Sequence, residues 1–310
     1  MSEASLASVG VREESSQLEA EFVPAAAMLC CSLRHRGEEL LAQNAGVIAY
    51  ARSGKTMGIP LLYPWANRLA GFDYSVAGRS VRVPHDPGRI KLDDNGLPIH
   101  GVIGGRQVWE VVNEGEDDRS SLLARLNWSE SQPELFEVFP FRHELHYRAR
   151  LRGARLEIEL TVHAAGEDAV PLSFGFHPYL SPAADGRERW QVELPAMRSL
   201  ALDADQIPTG ASQALDAQSF VLDGRELDEG FDHVQEPARF SVSGAGRRIE
   251  LTSLRGYPCA QVYAPAGGQF ICFEPMTAPV NALRSGSGLR LLAPGERFTT
   301  GFSVEVSDLR

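Results

Sequence analysis

Lysine and cysteine are scarce in this 310-residue chain, and each scarcity argues against a class of chemistry. Lys55 and Lys91 are the only lysines among the 30 basic residues, so arginine carries nearly all of the positive charge. A mechanism that forms a Schiff base with a lysine therefore has only these two candidate residues. The four cysteines include the adjacent Cys30 and Cys31, and none stands in the C-x-x-C spacing of a zinc or redox motif. We expect all four to be reduced core residues.

Signals for a membrane or a secretory route are missing as well. No apolar run is long enough to span a bilayer, and the acidic N-terminus lacks the cationic start and apolar stretch of a signal peptide. The formal net charge of −11 and the pI near 5.3 argue against a nucleic-acid or anionic-membrane partner, since both require a basic surface. These features predict a cytoplasmic protein that binds neither nucleic acid nor membrane.

Motifs for nucleotide cofactors and for common nucleophiles are also missing. The chain has no P-loop, no third glycine of a dinucleotide fingerprint and no G-x-S-x-G nucleophile elbow. His143 and His146 resemble a metal-binding pair, but on a strand this spacing directs the two imidazoles to opposite faces. The sequence therefore predicts neither a nucleotide cofactor nor a metal.

Alternation of apolar and polar residues dominates the chain and predicts an all-β protein. Residues 141–151 are mostly apolar at odd positions and residues 156–163 at even positions, as in strands with one face in solvent. Turn residues separate the further strands predicted over residues 190–194, 239–242, 248–254, 259–263, 270–273 and 298–306. Helical periodicity is confined to one short turn at residues 216–220. We predict a sandwich of stacked antiparallel β-sheets.

The chain offers no position at which it should be divided into domains. It has no internal repeat, no low-complexity segment and no linker, and a β-sandwich of this length can form one unit. We therefore predict a single domain over residues 17–310. The polar residues 1–16 before it are predicted to form a disordered tail.

Two strand-like runs end in an ionisable residue that is followed directly by proline. These residues are His177, before Pro178, and Glu274, before Pro275. Proline holds the preceding residue in extended geometry and cannot donate to a sheet ladder. We expect the two side chains to be held where their strands end, as an acid and a base. The alternative for each is a polar residue at a strand end with no catalytic role.

Three further polar residues lie in segments shaped by glycine and proline. Arg68 belongs to a loop in which Trp65 can offer a flat face to a ring and the guanidinium can bind neighbouring hydroxyls. His100 precedes Gly101, which allows a ligand to approach the backbone closely. Asp232 follows an aromatic residue in a Gly-Phe-Asp segment. Each has an alternative with no role in a site. Trp65 could pack in the core and Arg68 could be a solvated surface charge. His100 could be a structural histidine and Asp232 an ordinary turn aspartate.

Together these segments resemble a known family. In chain order they are Pro-Trp-Ala-Asn-Arg68, Pro-Ile-His100-Gly, Phe-Gly-Phe-His177-Pro-Tyr, Gly-Phe-Asp232-His and Phe-Glu274-Pro-Met-Thr-Ala-Pro-Val-Asn281. Five segments in this order resemble the aldose 1-epimerases, or galactose-mutarotase-like proteins. The resemblance extends over nearly the whole chain, from Phe22 to Gly295.

The resemblance implies a large β-sandwich of the supersandwich type and an isomerase that interconverts the α and β anomers of a free aldose. Glu274 would take the proton of the C1 hydroxyl while His177 protonates the ring oxygen, and the opened aldehyde would rotate and close again. His100 would support the acid or bind the sugar, and Arg68 and Asp232 would hold other hydroxyls. The small-molecule sugar is the expected partner, and no metal or organic cofactor is required.

Three other functions stay open from the sequence. Arg106 and Arg284 leave a hexose phosphate as a candidate substrate. A glycoside hydrolase could use Glu274 and Asp232 as its carboxylate pair, at a separation of roughly 5–10 Å. The fold could also serve as a sugar-binding module without turnover. The segment around His100 departs from the Leu-His-Gly-Gly form of galactose mutarotases, so galactose is not indicated as the sugar.

Overall fold

The computed structural model of the chain describes residues 6–112, 119–183 and 186–309, most of which lie in or between β-strands. In chain order the strands are β1 (Val9–Glu13), β2 (Leu18–Val23), β3 (Leu29–His35), β4 (Glu38–Glu39), β5 (Leu61–Leu62), β6 (Asp73–Val76), β7 (Arg79–Arg82), β8 (Ile90–Leu92), β9 (Pro98–Val102), β10 (Glu110–Val111), β11 (Ser121–Trp128), β12 (His143–Arg152), β13 (Arg155–His163), β14 (Val170–Leu172), β15 (Gly175–Phe176), β16 (Tyr179–Leu180), β17 (Gln191–Leu194), β18 (Met197–Leu202), β19 (Pro208–Leu215), β20 (Gln218–Val221), β21 (Leu227–Asp232), β22 (Ala238–Gly244), β23 (Arg247–Arg255), β24 (Cys259–Ala264), β25 (Ile271–Met276), β26 (Arg290–Leu292) and β27 (Arg297–Asp308). The helices are α1 (Gly46–Ser53), α2 (Pro133–Phe136) and α3 (Ala282–Ser285), with short 3₁₀ turns at Gly104–Arg106 and Arg187–Arg189.

Two large antiparallel sheets face each other across the core. The nine-stranded sheet has the order β10-β11-β12-β13-β27-β23-β22-β17-β20, and the eight-stranded sheet the order β19-β18-β21-β24-β25-β15-β5, with β16 also paired to β25. Phe273 and Phe176 of the eight-stranded sheet contact Phe240 and Phe302 of the nine-stranded sheet, with ring centroids 5.5 and 5.0 Å apart. The predicted all-β sandwich of antiparallel sheets is confirmed.

The alternation in the sequence explains which faces of these strands are buried. In β12 and β13 every second residue is buried, and the register sets Leu145 opposite Val162 and Ala149 opposite Ile158. The intervening charged residues face outward. Full burial of such a leucine, valine or isoleucine contributes about 1.5–3 kcal/mol relative to exposure, so the alternation determines which face of the sheet packs on the core.

The predictions for the N-terminal tail and for residues 216–220 are wrong. The predicted disordered tail contains β1, which pairs with β2 and buries Val11. Pairing with a neighbouring strand satisfies its backbone groups, so its polar composition does not prevent order; residues 1–5 of that tail lie outside the described residues. The predicted helical turn at residues 216–220 overlaps β20, where pairing with β17 overrides local helical preference.

Several residues that could suggest other chemistry have structural roles. All four cysteines are buried and free, as predicted. His143 is buried with Nε2 2.6 Å from the Tyr63 hydroxyl, whereas the side chain of His146 is 42% exposed on the other face of β12. Trp65 is fully buried in the core and offers no face to a ligand. Within residues 6–112, 119–183 and 186–309, no group of three or more His, Cys, Asp or Glu side chains is placed to hold a metal.

No described helix is long and apolar enough to cross a membrane.

The eight-stranded sheet contains a break that brings distant residues together. Both β15 and β16 pair with β25, and one register relates the two contacts: Gly175 lies opposite Met276, and Tyr179 opposite Cys272. The same register sets His177, between β15 and β16, directly opposite Glu274. Residues directly opposite each other on neighbouring strands have Cβ atoms about 4.5–5.5 Å apart, so the fold makes His177 and Glu274 side-chain neighbours.

The two prolines lie at this break, but Glu274 is not at the end of its strand as predicted. β25 continues through Pro275 to Met276, and Glu274 pairs with Gln261 of β24. Pro275 lacks an N–H and is tolerated in the strand because it lies beside the gap between β15 and β16. Proline therefore interrupts the ladder next to both ionisable residues without ending β25.

Candidate active site

A cleft of about 460 Å³ opens over the break in the eight-stranded sheet. Four of the five predicted site residues line it, namely Arg68, His100, His177 and Glu274. They come from four separate parts of the chain, and the cleft has the size of a small-molecule site. The structure therefore brings these four predicted residues together.

His177 and Glu274 form a buried pair at the base of the cleft. The Nε2 atom of His177 is 3.2 Å from Oε1 of Glu274, and the two side chains are only 6% and 2% exposed. The ring of Tyr179 stacks on His177 with centroids 4.5 Å apart and planes inclined by 4°. The backbone N–H of His177 donates to the carbonyl of Pro60. These contacts hold the imidazole in one orientation against the carboxyl group.

Burial pushes the pKa values of the two groups toward their neutral forms. The pKa of Glu274 is raised well above 4.5, first by loss of solvation and then by the charge of Asp228. The pKa of His177 is lowered to about 3, first by burial and then by the positive charge of Lys91. Because the two groups are in contact, they titrate as a coupled pair.

Arg68 is fixed at one side of the cleft by its own hydrogen bonds. Its Nε donates to Oδ2 of Asp93 at 2.6 Å, its Nη1 donates to Oδ1 of Asn67 at 3.0 Å, and its Nη2 lies 3.9 Å from Oδ2 of Asp228. The side chain is 15% exposed. The planar guanidinium is therefore pre-oriented, with remaining N–H donors available to hydroxyl groups.

His100 lines the cleft from within β9, where the backbone conformation is unusual. Its φ is +66° and that of Gly101 is +71°. A Cβ on Gly101 would lie 2.1 Å from the carbonyl oxygen of Tyr63, so only glycine fits there. The His100 ring lies 5.4 Å from the His177 ring, and its buried Nδ1 has no hydrogen-bond partner among the described residues. Burial and the charge of Lys91 hold its pKa well below 6.5.

Asp232, the fifth predicted site residue, is not among the described residues that line the cleft. Asp232 pairs with Arg198 in the sheet. Its Oδ1 lies 2.9 Å from Nδ1 of His233 and 3.9 Å from Nε of Arg198. Asp228, four residues earlier on β21, lines the cleft instead. It accepts a hydrogen bond of 2.6 Å from Nε2 of Gln261.

Strand geometry explains why only one of these two aspartates reaches the cleft. Gly230 pairs with Gln261, which in turn pairs with Glu274, so these three residues form one row across the sheet. Asp228 and Asp232 share a face but lie two residues to either side of that row. Four residues of strand span about 13 Å, so the two aspartates lie toward opposite ends of this row. The cleft opens on the side of Asp228.

Sequence reasoning missed other residues of the cleft. Tyr179 and Tyr263 line it, and Thr56 does so with Oγ1 2.6 Å from the Tyr179 hydroxyl. Tyr179 could have been found because it follows His177-Pro in the motif. Lys91 also lines the cleft, but no motif around it marks it. Its position depends on the pairing of β8 with β9, which no local pattern reveals.

The two arginines that left a phosphorylated substrate open lie elsewhere. Arg106 donates to the carbonyl of Gly88 and lies 3.4 Å from Glu134. Arg284 donates to the carbonyl of Asp73 and lies 3.3 Å from its carboxylate. Neither is among the described residues lining the cleft, so neither offers its charge to a ligand there.

Comparison with known proteins identifies the family. A sequence model of the aldose 1-epimerase family matches residues 27–305, which include the whole cleft. The chain belongs to the aldose 1-epimerase family. This family member is 25% identical over 251 residues to the protein YihR of Escherichia coli K12, covering 79% of this chain and 77% of YihR.

Solved structures share the fold of this family member. The Slr1438 protein from Synechocystis is 25% identical, with a TM-score of 0.76 and coverage of 97% of this chain and 96% of that chain. A galactose mutarotase-like protein from Clostridium acetobutylicum, 17% identical, has a TM-score of 0.81 and coverage of 95% and 94%. The galactose mutarotase-like architecture implied by the sequence is therefore confirmed.

Proposed function

We propose that this family member is an aldose 1-epimerase, a mutarotase, that interconverts the α and β anomers of a free aldose. The contact between His177 and Glu274 carries the proposal. An imidazole nitrogen and a carboxylate oxygen lie 3.2 Å apart at the base of a cleft large enough for a monosaccharide. Mutarotation requires one group to accept a proton and another to donate one, and this pair supplies both.

The proposed reaction uses one proton on the pair throughout. In the ring-opening step Glu274, as carboxylate, takes the proton of the C1 hydroxyl, and protonated His177 gives a proton to the ring oxygen. The bond from C1 to the ring oxygen breaks and the C1 carbonyl forms. Rotation about the C1–C2 bond presents the other face of the aldehyde, and the reverse transfers close the ring.

Burial of the pair favours the protonation state that the open-chain stage of the reaction requires. In the open-chain state Glu274 holds the proton and His177 is neutral, and both pKa directions favour that distribution. The paired environment therefore stabilises the open-chain stage of the reaction.

The remaining polar groups support binding of a neutral sugar. Arg68 offers N–H donors, His100 an unpartnered ring nitrogen and Asp228 a carboxylate acceptor, so hydroxyls on both sides of a ring find partners. Asp93 and Asp94 add negative charge to the same cleft. Besides Glu274, the cleft has three carboxylates, Asp93, Asp94 and Asp228, against the two cations Arg68 and Lys91. This excess of carboxylates favours a free aldose over a phosphorylated one.

Polarimetry of freshly dissolved α-anomers tests the proposal directly. Glucose, galactose, xylose, arabinose and a hexose 6-phosphate are compared with wild type, with Glu274→Gln and with a buffer blank. We expect a free aldose to relax faster with wild type, and Glu274→Gln to lose about 10²- to 10⁴-fold of that acceleration.

Three results would contradict the proposal in different ways. Relaxation at the blank rate for every sugar would exclude mutarotation of these substrates. Saturable sugar binding without acceleration would indicate a binding module. Hydrolysis of an aryl glycoside that is abolished in Glu274→Gln would indicate a glycosidase, although the carboxylate pair expected for it is lost because Asp232 lies outside the cleft.

A further inference from the structure

Lys91 places an ammonium group in the cleft that the resemblance to the family does not account for. It lies on β8 opposite Ile99, so that it neighbours His100 across the β8-β9 hairpin. It lines the cleft together with His177 and Glu274. Only one other lysine exists in the chain, the exposed Lys55.

The stem of Lys91 is held by the end of helix α1. Gly54 ends this helix with φ +70°, and a Cβ there would lie 3.2 Å from Cβ of Lys91 and 3.4 Å from its Cδ. Ile103 borders the same point, with Cγ1 at 3.3 Å. The aliphatic part of Lys91 is therefore packed on the scaffold, and the half-buried side chain is limited in the directions it can take.

The ammonium group of Lys91 is unengaged within the part of the chain that the structure describes. Among residues 6–112, 119–183 and 186–309, Lys91 has no side-chain hydrogen bond and no carboxylate within the 4.0 Å of an ion pair. Arg68, the other strongly basic residue of the cleft, is bound to Asp93 and Asn67. A half-buried cation without a protein partner retains three donors for a ligand.

We propose that the ammonium group of Lys91 binds the substrate directly, donating hydrogen bonds to sugar oxygens beside the reacting carbon. The inference rests on the proposed function, because it names a further residue of the same site. Position supports it: Lys91 lines the cleft with the proton-transfer pair, its stem is packed on Gly54, and its charge acts on both His177 and Glu274. Chemistry supports it as well, since oxygens that gain negative charge during ring opening are stabilised by a nearby cation.

Lys91 also acts electrostatically on the groups around it. Its positive charge contributes to the lowered pKa values of His177 and His100. It also offsets part of the rise that burial causes in the pKa of Glu274. The titratable and charged groups that face it in the cleft are Arg68, Asp93, Asp94, His100, His177, Tyr179, Asp228, Tyr263 and Glu274. Loss of this charge should raise the pKa values of the reacting pair, so both limbs of the pH–rate profile should move to higher pH.

The test compares Lys91→Met, which keeps the packed stem but removes the charge, with Lys91→Arg, which keeps the charge. Lys55→Met is the matched control. We expect kcat/KM for the sugar that wild type converts fastest to fall about tenfold or more in Lys91→Met. Lys91→Arg should recover part of the loss and keep the wild-type pH profile, and Lys55→Met should match wild type. Calorimetric titration of the same sugar should show weaker binding to Lys91→Met.

The outcomes separate this inference from the proposed function. An inactive wild type that binds sugar more tightly than Lys91→Met contradicts mutarotation but supports the contact. An active wild type with Lys91→Met within twofold in kcat/KM, binding and pH profile overturns the contact. If Lys91→Met is poorly folded by circular dichroism, Lys91→Gln provides the same comparison. Wild-type kcat/KM, binding and pH profile in Lys91→Gln would then overturn the inference.

Discussion

His177 and Glu274 are cross-strand neighbours at a break in the eight-stranded sheet, with Nε2 of the imidazole 3.2 Å from Oε1 of the carboxyl group. Each is followed by proline in the sequence. The cleft opens over this break in the ladder. The register that spans the break therefore sets the pair at the base of the cleft.

A double variant of this pair should lose little more of the mutarotation rate than either single variant. If His177 and Glu274 share one proton during the reaction, either loss breaks the same transfer, and such effects are strongly non-additive. We expect His177→Asn and Glu274→Gln each to lose about 10²- to 10⁴-fold of the mutarotation rate. The double variant should remain within about tenfold of the slower single variant in polarimetry. Losses that multiply would show that the two groups act independently.

Glu274 should make the folded protein less stable as the pH rises. Its folded pKa is raised above 4.5, so the folded state binds this proton more tightly than the unfolded state. The stability from that proton is fully present below about pH 4.5 and is lost as the pH rises through the folded pKa. Glu274→Gln has no proton to lose, so its Tm should exceed that of wild type by about 2 °C or more at pH 8, with a smaller difference at pH 5.

The control for this measurement is Glu229→Gln on β21, where the side chain is exposed. Its Tm difference from wild type should not change with pH. A constant difference for Glu274→Gln between pH 5 and pH 8 would show that Glu274 is ionised in the folded cleft.

Asp228 and Asp232 should differ in their effect on sugar binding. Asp228→Asn removes a carboxylate from the cleft, and we expect KM to rise about five- to tenfold. It also removes a charge that raises the pKa of Glu274, so the pH–rate profile should move to lower pH. Asp232→Asn, on the same face of the same strand but outside the cleft, should stay within about threefold of wild type. The reverse ranking in steady-state kinetics would restore Asp232 as the sugar contact.

Gly101 should be far less tolerant of substitution than a comparable glycine elsewhere. Gly101 and Gly78 have φ of +71° and +75°, so the conformational free energy that alanine costs is similar at the two sites. Only at Gly101 would the new Cβ meet backbone, 2.1 Å from the carbonyl oxygen of Tyr63, whereas Gly78 faces open space. We expect Gly101→Ala to lower Tm by several degrees more than Gly78→Ala and to reduce activity by displacing His100. Equal Tm values in thermal unfolding would contradict this account.

Local patterns in the sequence predicted much of the fold and part of the cleft. The alternation in β12 and β13 was sufficient because a strand with one buried face must repeat every two residues. Proline identified His177 and Glu274 because its backbone limits are local. The tail and the turn at residues 216–220 were mistaken because β1 and β20 are ordered by pairing, which no local pattern records.

The sequence by itself determined that this protein is built of antiparallel strands and that a histidine and a glutamate stand beside prolines. Tertiary structure alone decided that these two residues face each other, that Asp228 and not Asp232 lines the cleft, and that Lys91 joins them. The physical reason is that strand register and the burial of a charge depend on neighbours far apart in the chain. Protonation follows in turn, because the pKa values of the pair are set mainly by the solvent that the surrounding strands exclude.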